Sequence, residues 1–239
     1  MPDSDHMPLA WQQLASTFKN DPNVIFRLYP EPWPNGNSTG LSAWKCWSQG
    51  DVQYGASLTP VSQVQHCSET YNGVSYQTVG MQSLLNIVRA TGATNVVQVP
   101  GVAFANMLAC SATGSPVSCG FLDSADGVKV SDTLNPPQLM ADTDNYPDIG
   151  QYCGDLTCVI TTYGPIQQQM PIDIGEAGVI GNPATSPLIQ QFIGQYDTWG
   201  QSYYASQWES WANLISNYNG TPHSGWGTWY YDHTTGAGL

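Results

Sequence analysis

The spacing of apolar positions changes several times along the chain, and each change predicts an element. Leu9, Trp11, Leu14, Ala15 and Phe18 form an apolar stripe at helical spacing, which predicts an amphipathic helix over Pro8–Lys19 with that stripe against the core. Asn20-Asp21-Pro22-Asn23 ends it. Val24 to Tyr29 is a short run of β-branched and aromatic residues and predicts a strand, which Pro30 and Pro32 stop because neither can donate a ladder hydrogen bond. Residues 33–75, rich in Gly, Ser, Asn and Trp, are expected to form one long loop.

Beyond that loop, Met81, Leu84, Leu85 and Val88 share one face of a helix over Val79–Thr91, with Gly92 placed to end it. Asn95–Val99 reads as a buried strand, Gly101–Leu108 as a short helical or looped piece, and 110–137 as irregular. Leu139–Tyr146 is a weaker strand. A helix over Val159–Gln169 is expected to be interrupted at Gly164-Pro165. Met170–Gly175 is another short strand. Leu188, Ile189, Phe192, Ile193 and Tyr196 make Pro187–Trp199 an amphipathic helix that Gly200 stops, and Ser202–Trp208 is the last strand. From Trp211 onward the tail is aromatic and Gly-rich, without a period.

Strands alternating with helices across short turns indicate an α/β fold with a parallel sheet and right-handed crossovers. The pattern supplies five strands, whereas a closed (β/α) barrel of the TIM type needs eight. The expectation is therefore one domain over 1–239, an incomplete TIM barrel with an aromatic tail from about 211.

Two of the strands end on a lone carboxylate. Glu31 follows the first, between two prolines, and Glu176 follows the Met170 strand, between glycines that permit close backbone approach. Strand-end acids at the mouth of a parallel barrel fit the two-carboxylate chemistry of glycoside hydrolysis, in which one acid protonates the leaving oxygen and the other attacks the anomeric carbon. The alternative is that both glutamates are merely solvated turn residues.

Charge narrows the partners. The net charge is −13, and only 5 of 239 residues are Lys or Arg, which excludes a basic patch for nucleic acid or an anionic membrane. With only 10% charged residues, the surface must be built from neutral polar side chains, a make-up suited to neutral polymers. Trp33, Trp44 and Trp47 lie close in sequence to Glu31, and flat aromatic faces of this kind pack on sugar rings. No run reaches the roughly 18 apolar residues of a membrane helix, and no signal peptide is visible.

The six cysteines are even in number, and pairing between sequence neighbours would staple one loop each: Cys46–Cys67, Cys110–Cys119 and Cys153–Cys158. This implies an oxidising, extracellular location. No C-x-x-C or H-x-x-x-H spacing occurs, so no zinc site and no cofactor are expected.

In combination these stretches resemble the family-five glycoside hydrolases, which are cellulase-like members of clan A. Val-Ile-Phe-x-Leu-Tyr-x-Glu-Pro at 24–32 resembles that family's fourth strand, and Ile-Gly-Glu-Ala-Gly at 174–178 its seventh. Gly80–Leu84 with Val88–Val97 resembles the intervening helix and fifth strand, Asp142–Tyr146 the sixth, Tyr203–Trp208 the eighth, and Asn217–Pro222 a terminal segment. The resemblance runs from about Asp3 to Pro222. It implies Glu31 as acid/base, Glu176 as nucleophile, Tyr146 as the hydrogen-bond partner of Glu176, and Trp208 as the sugar platform. The implied substrate is a β-1,4-glucan or similar plant polysaccharide, cleaved with retention. Three departures stand out. Pro30 replaces an Asn that contacts the sugar, Asp144 replaces a His and brings a further carboxylate into the substrate-binding cleft, and the family's first three strands have no counterpart. The open edge this leaves has three outcomes: the natural chain is longer, two copies meet edge to edge as a homodimer, or the N-terminal helix and the aromatic tail Trp226–Tyr231 fold over the gap; self-association is the favoured expectation.

Two other functions fit parts of the sequence. A carbohydrate-binding relative would keep the Trp surface and lose turnover through Pro30, Asp144 and the absent strands. A serine esterase would use Ser38 within Gly36-Asn37-Ser38-Thr39-Gly40, a G-x-S-x-G pattern, although Pro32 and Pro34 intervene between strand and serine.

Overall fold

The computed structural model describes residues 1–36, 39–109, 120–121, 127–147, 153–179, 186–207 and 214–236. Its centre is a parallel sheet with the spatial order β1-β6-β7-β8-β9, formed by β1 (Phe26–Arg27), β6 (Val97–Pro100), β7 (Leu139–Asn145), β8 (Ile172–Ala177) and β9 (Ser202–Ala205). Phe26 stands opposite Val97, Val97 opposite Leu139, Ala141 opposite Ile172, and Ile174 opposite Tyr203. Successive strands are also spatial neighbours, so the sheet advances in one direction like part of a barrel wall. The expected five-strand incomplete TIM barrel is what the chain forms.

Helices α1 (Met7–Phe18), α3 (Met81–Ala90), α4 (Leu156–Gln167) and α5 (Pro187–Trp199) accompany it. Their buried residues (Trp11 and Ala15; Leu84, Leu85 and Val88; Val159, Tyr163 and Ile166; Ile189, Phe192 and Tyr196) join the outward side chains of the sheet in one core. The α4 helix runs through Gly164-Pro165. Pro165 falls in its last turns, where the missing N–H costs a single bond while Tyr163 and Ile166 remain buried. Asp155 caps its start, accepting a hydrogen bond from the Cys158 N–H at 2.8 Å.

Three expectations need correction. Residues 33–75 are not one loop. They contain the helix α2 (Leu41–Gln49), a hairpin of β2 (Val52–Tyr54) with β3 (Pro60–Gln63), and a second hairpin of β4 (Thr70–Tyr71) with β5 (Val74–Ser75). Trp44 and Trp47, expected to face sugar, lie on α2 and are fully buried; Trp47 Nε1 donates to the Pro100 carbonyl at 2.8 Å. Their flat faces serve the core, and the high Trp content of that stretch is packing. The third correction concerns α1, where Trp11 and Ala15 are buried but Leu9, Leu14 and Phe18 remain 43–47% exposed.

Ile25 is exposed to the same degree beside β1, and β1 forms one border of the sheet. At the other border α6 (Trp226–Thr235) packs on β9. The Tyr203 hydroxyl lies 3.1 Å from His233 Nε2, and Trp226, Trp229 and His233 stack in sequence along the helix. The tail that lacked a period in the sequence is thus a helix organised by aromatic stacking.

Disulfides join Cys46 to Cys67 and Cys153 to Cys158 as expected. The Cys110–Cys119 pair, Ser38 and Trp208 lie outside the described residues.

Candidate active site

Parallel strands bring all their C-terminal ends to one rim, and the side chains of interest collect there. Glu31 follows β1, Asp144 and Tyr146 come from the end of β7, Glu176 from β8, and Ser206 follows β9. One carboxylate oxygen each from Glu31, Asp144 and Glu176 lie within 4.8 Å of one another. Glu31 is exposed, Glu176 half-buried and Asp144 only 2% exposed.

Tyr146 donates its hydroxyl to Glu176 Oε2 and also meets the Ser206 hydroxyl, while Ser206 Oγ lies 3.4 Å from the same carboxylate oxygen. Two hydroxyls therefore converge on one oxygen of Glu176. Burial and the neighbouring Glu176 charge push the Tyr146 phenol far above its ordinary range, so it remains a donor. The glycines flanking Glu176 make this geometry sterically feasible. A Cβ at Gly178 would come within 2.7 Å of the Ser206 carbonyl and 2.8 Å of the Tyr146 ring, and one at Gly175 within 2.4 Å of Asp142 Oδ1 and 2.6 Å of Arg27 Nη2.

Below the rim lies a polar layer that the sequence did not announce. Arg27 Nε donates to Asp142 Oδ2 at 2.5 Å and its Nη2 to Asp144 Oδ1 at 2.8 Å. Gln98 donates to Asp173. A single guanidinium thus serves Asp142 and Asp144 with Asp173 close by, and burial pushes these carboxyls up, to about 6 for Asp142, about 9 for Asp144 and about 6 for Asp173. Asp144 Oδ2 is buried and has no hydrogen-bond partner among the described residues. The Glu31 carboxyl is also raised, by partial burial first and by the charge of Glu176 second, with Arg27 opposing. The alternation of inward side chains along Phe26-Arg27-Leu28 and Asp142-Thr143-Asp144 is the signal that would have found Arg27 and Asp142.

The segment after β6 braces Glu31. Ala103, Phe104 and Ala105 have successive φ of 59°, 58° and 58°; the Phe104 N–H donates to the Pro32 carbonyl at 3.0 Å, and the Asp144 N–H to the Ala105 carbonyl at 3.1 Å. The Phe104 ring lies against Trp33, centroids 3.6 Å apart. Trp33 is half-buried and stays at the rim beside Glu31, unlike Trp44 and Trp47.

The three rim carboxylates are the one grouping among the described residues with the spacing of a cation site. The same spacing suits two-carboxylate glycosyl chemistry.

A family model for cellulase, glycosyl hydrolase family 5, matches residues 3–232. The chain belongs to that family. Among solved structures, the β-glucanase SdGluc5_26A from Saccharophagus degradans superposes with a TM-score of 0.62 at 16% identity, over 98% of this chain and 60% of its own. XacCel5A in complex with cellopentaose gives 0.55 at 18%, over 92% and 63%. The catalytic domain of a mannanase from Streptomyces sp. SirexAA-E gives 0.52 at 17%, over 89% and 54%. At these identities the likeness is one of fold, and this chain spans about three-fifths of such neighbours. No curated protein matches the chain by sequence.

Proposed function

We propose that this family 5 chain is a retaining glycoside hydrolase acting on a neutral β-linked glucan, of the endo-β-1,4-glucanase kind. The observation that carries the reading is the pairing of Glu31 and Glu176 at the sheet rim, with carboxylate oxygens within 4.8 Å and Tyr146 donating to Glu176. Retaining enzymes hold their two carboxyls about 5–5.5 Å apart, whereas inverting ones leave about 6.5–9.5 Å for a water.

In this mechanism Glu176 attacks the anomeric carbon, and the Tyr146 and Ser206 hydroxyls hold its carboxylate in line. Glu31, whose raised pKa favours the protonated form, gives its proton to the leaving oxygen and then takes one from the water that releases the sugar. Neighbours that carry cellooligosaccharides support glucan as the substrate class, and the two disulfides support secretion. Among the described residues no helix is long and apolar enough to cross a membrane.

The test is azide rescue. Glu176→Ala should abolish reducing-end release from barley glucan, and added azide should yield a glycosyl azide. Glu31→Ala should slow substrates with poor leaving groups most. Wild-type activity in either variant removes the mechanism.

A second reading rests on Asp144. Its carboxyl sits against both glutamates, and a third acid there disturbs which of them holds a proton. Glucan binding by the wild type without reducing-end release selects a carbohydrate-binding relative.

A further inference from the structure

Retaining glycosyl transfer needs two carboxyls, and the rim holds a third. Glu31, Asp144 and Glu176 each offer one oxygen, and these oxygens lie within 4.8 Å of one another. The three residues come from different places: after β1, at the end of β7 and near the end of β8. Their convergence is therefore made by the sheet and not by one acidic loop.

Asp144 carries a second, separate observation. Its side chain is 2% exposed, Arg27 Nη2 donates to its Oδ1, and its Oδ2 has no hydrogen-bond partner among the described residues. An oxygen buried and unmatched in this way costs free energy that a positively charged ligand recovers. The charge around it points the same way. Arg27 answers Asp142 and Asp144 together, and it cannot also offset Asp173 and the two glutamates. Tyr146 and Ser206 both engage Glu176 Oε2, which leaves Oε1 to ligate. Glu31 is exposed, so water can reach this side of the rim and complete a coordination shell.

We infer that Glu31, Asp144 and Glu176 form a site for a hydrated divalent cation of the calcium class. The donors are all carboxylate oxygens, which suit a hard cation better than zinc or copper. Two calcium–oxygen bonds of about 2.3–2.6 Å span the separations at this rim, whereas magnesium, at about 2.0–2.1 Å, needs its ligands drawn closer together. The Arg27 contact to Asp144 is then the outer bond that orients a ligating carboxylate. A bound cation and a retained proton are alternative ways to relieve the same repulsion among crowded carboxyls. The site stands apart from the hydrolase reading but bears on it. While bound, the cation covers the oxygens that would attack and protonate, so it competes with glucan.

Isothermal titration of the chelator-treated full chain at neutral pH, with calcium chloride and separately with magnesium chloride, tests the site without any glucan. Wild type is expected to bind one calcium with a Kd on the order of 10⁻⁴ M, the range of extracellular modules, and magnesium at least about tenfold more weakly. Asp144→Asn keeps the shape of the side chain and removes its charge. It should weaken calcium about tenfold or more, because the count of charged ligands sets affinity. Asp21→Asn, which neutralises an exposed acid ahead of β1 at the opposite end of the sheet, should leave calcium binding unchanged. Circular dichroism checks that both variants fold. No saturable calcium binding in the wild type, magnesium bound as tightly as calcium, or wild-type calcium affinity in Asp144→Asn overturns the cation site. In glucan assays calcium should raise KM, leave kcat, and be reversed by chelator; an unmoved KM in the presence of saturating calcium also overturns it. A chain that binds calcium as expected but releases no reducing ends keeps the cation site and overturns the hydrolase reading alone.

Discussion

Arg27 Nη2 reaches across the sheet to Asp144 Oδ1 at 2.8 Å, while the other oxygen of that carboxyl lies buried with no partner among the described residues. One guanidinium cannot neutralise a layer that also holds Asp142 and Asp173, so the layer retains protons that the unfolded chain would release. Asp144 moves from an ordinary 3.8 to about 9 in the folded chain. Between those values the folded state binds more protons than the unfolded state, and stability falls as pH rises. Urea midpoints should therefore decline from pH 4 to pH 9, and Asp144→Asn should flatten the slope. A slope unchanged in that variant removes Asp144 as its source.

Tyr146 supplies a hydrogen bond to a carboxylate, an interaction worth about 1.5–3 kcal/mol. If the bond holds Glu176 for attack, Tyr146→Phe should lower kcat about 10- to 100-fold while KM moves little. Circular dichroism should remain that of wild type, because the ring still packs beside Gly178.

Trp33 and Trp47 should separate cleanly. Trp47 is fully buried, and Trp47→Ala should destabilise the fold by about 3–5 kcal/mol. Trp33→Ala, at the rim against Phe104, should cost little stability but weaken glucan binding. Thermal melts and titrations on both variants give the comparison.

The exposed apolar residues Leu9, Leu14 and Phe18 of α1 and Ile25 before β1, each 43–47% exposed, predict self-association at micromolar concentration. Leu14→Lys should shift sedimentation toward the monomer. A wild type that sediments as a compact monomer and binds no hydrophobic dye refutes the prediction.

The sequence shows the sheet more clearly than what surrounds it. Pro30 follows β1 and Gly178 follows β8, so both runs carry stop signals next to an acid, and Glu31 and Glu176 are legible in the sequence as strand-end carboxylates. The residues that tune them were harder to see. Arg27 reads as one polar position in an apolar run, and nothing local says that it reaches Asp142, 115 residues away. Trp44 and Trp47 misled for the opposite reason. Their neighbours Ser42, Lys45 and Ser48 made the stretch look like a wet loop, whereas the helical spacing of Ala43, Trp44 and Trp47 turns both rings inward. The α6 helix was invisible because its order comes from stacked Trp226, Trp229 and His233 rather than from an apolar stripe.

The two borders of the sheet are covered differently: α6 packs on β9, whereas at β1 the Trp11 indole of α1 meets the Phe26 ring and donates to the Leu28 carbonyl while Ile25 stays exposed. Any pairing through β1 uses the same surface in both copies, which makes it isologous and closes it at two. A head-to-tail contact would instead join β1 of one copy to β9 of the next and propagate into a filament. The aromatic helix on β9 blocks that route, so its removal is the change most apt to convert a finite particle into a fibre.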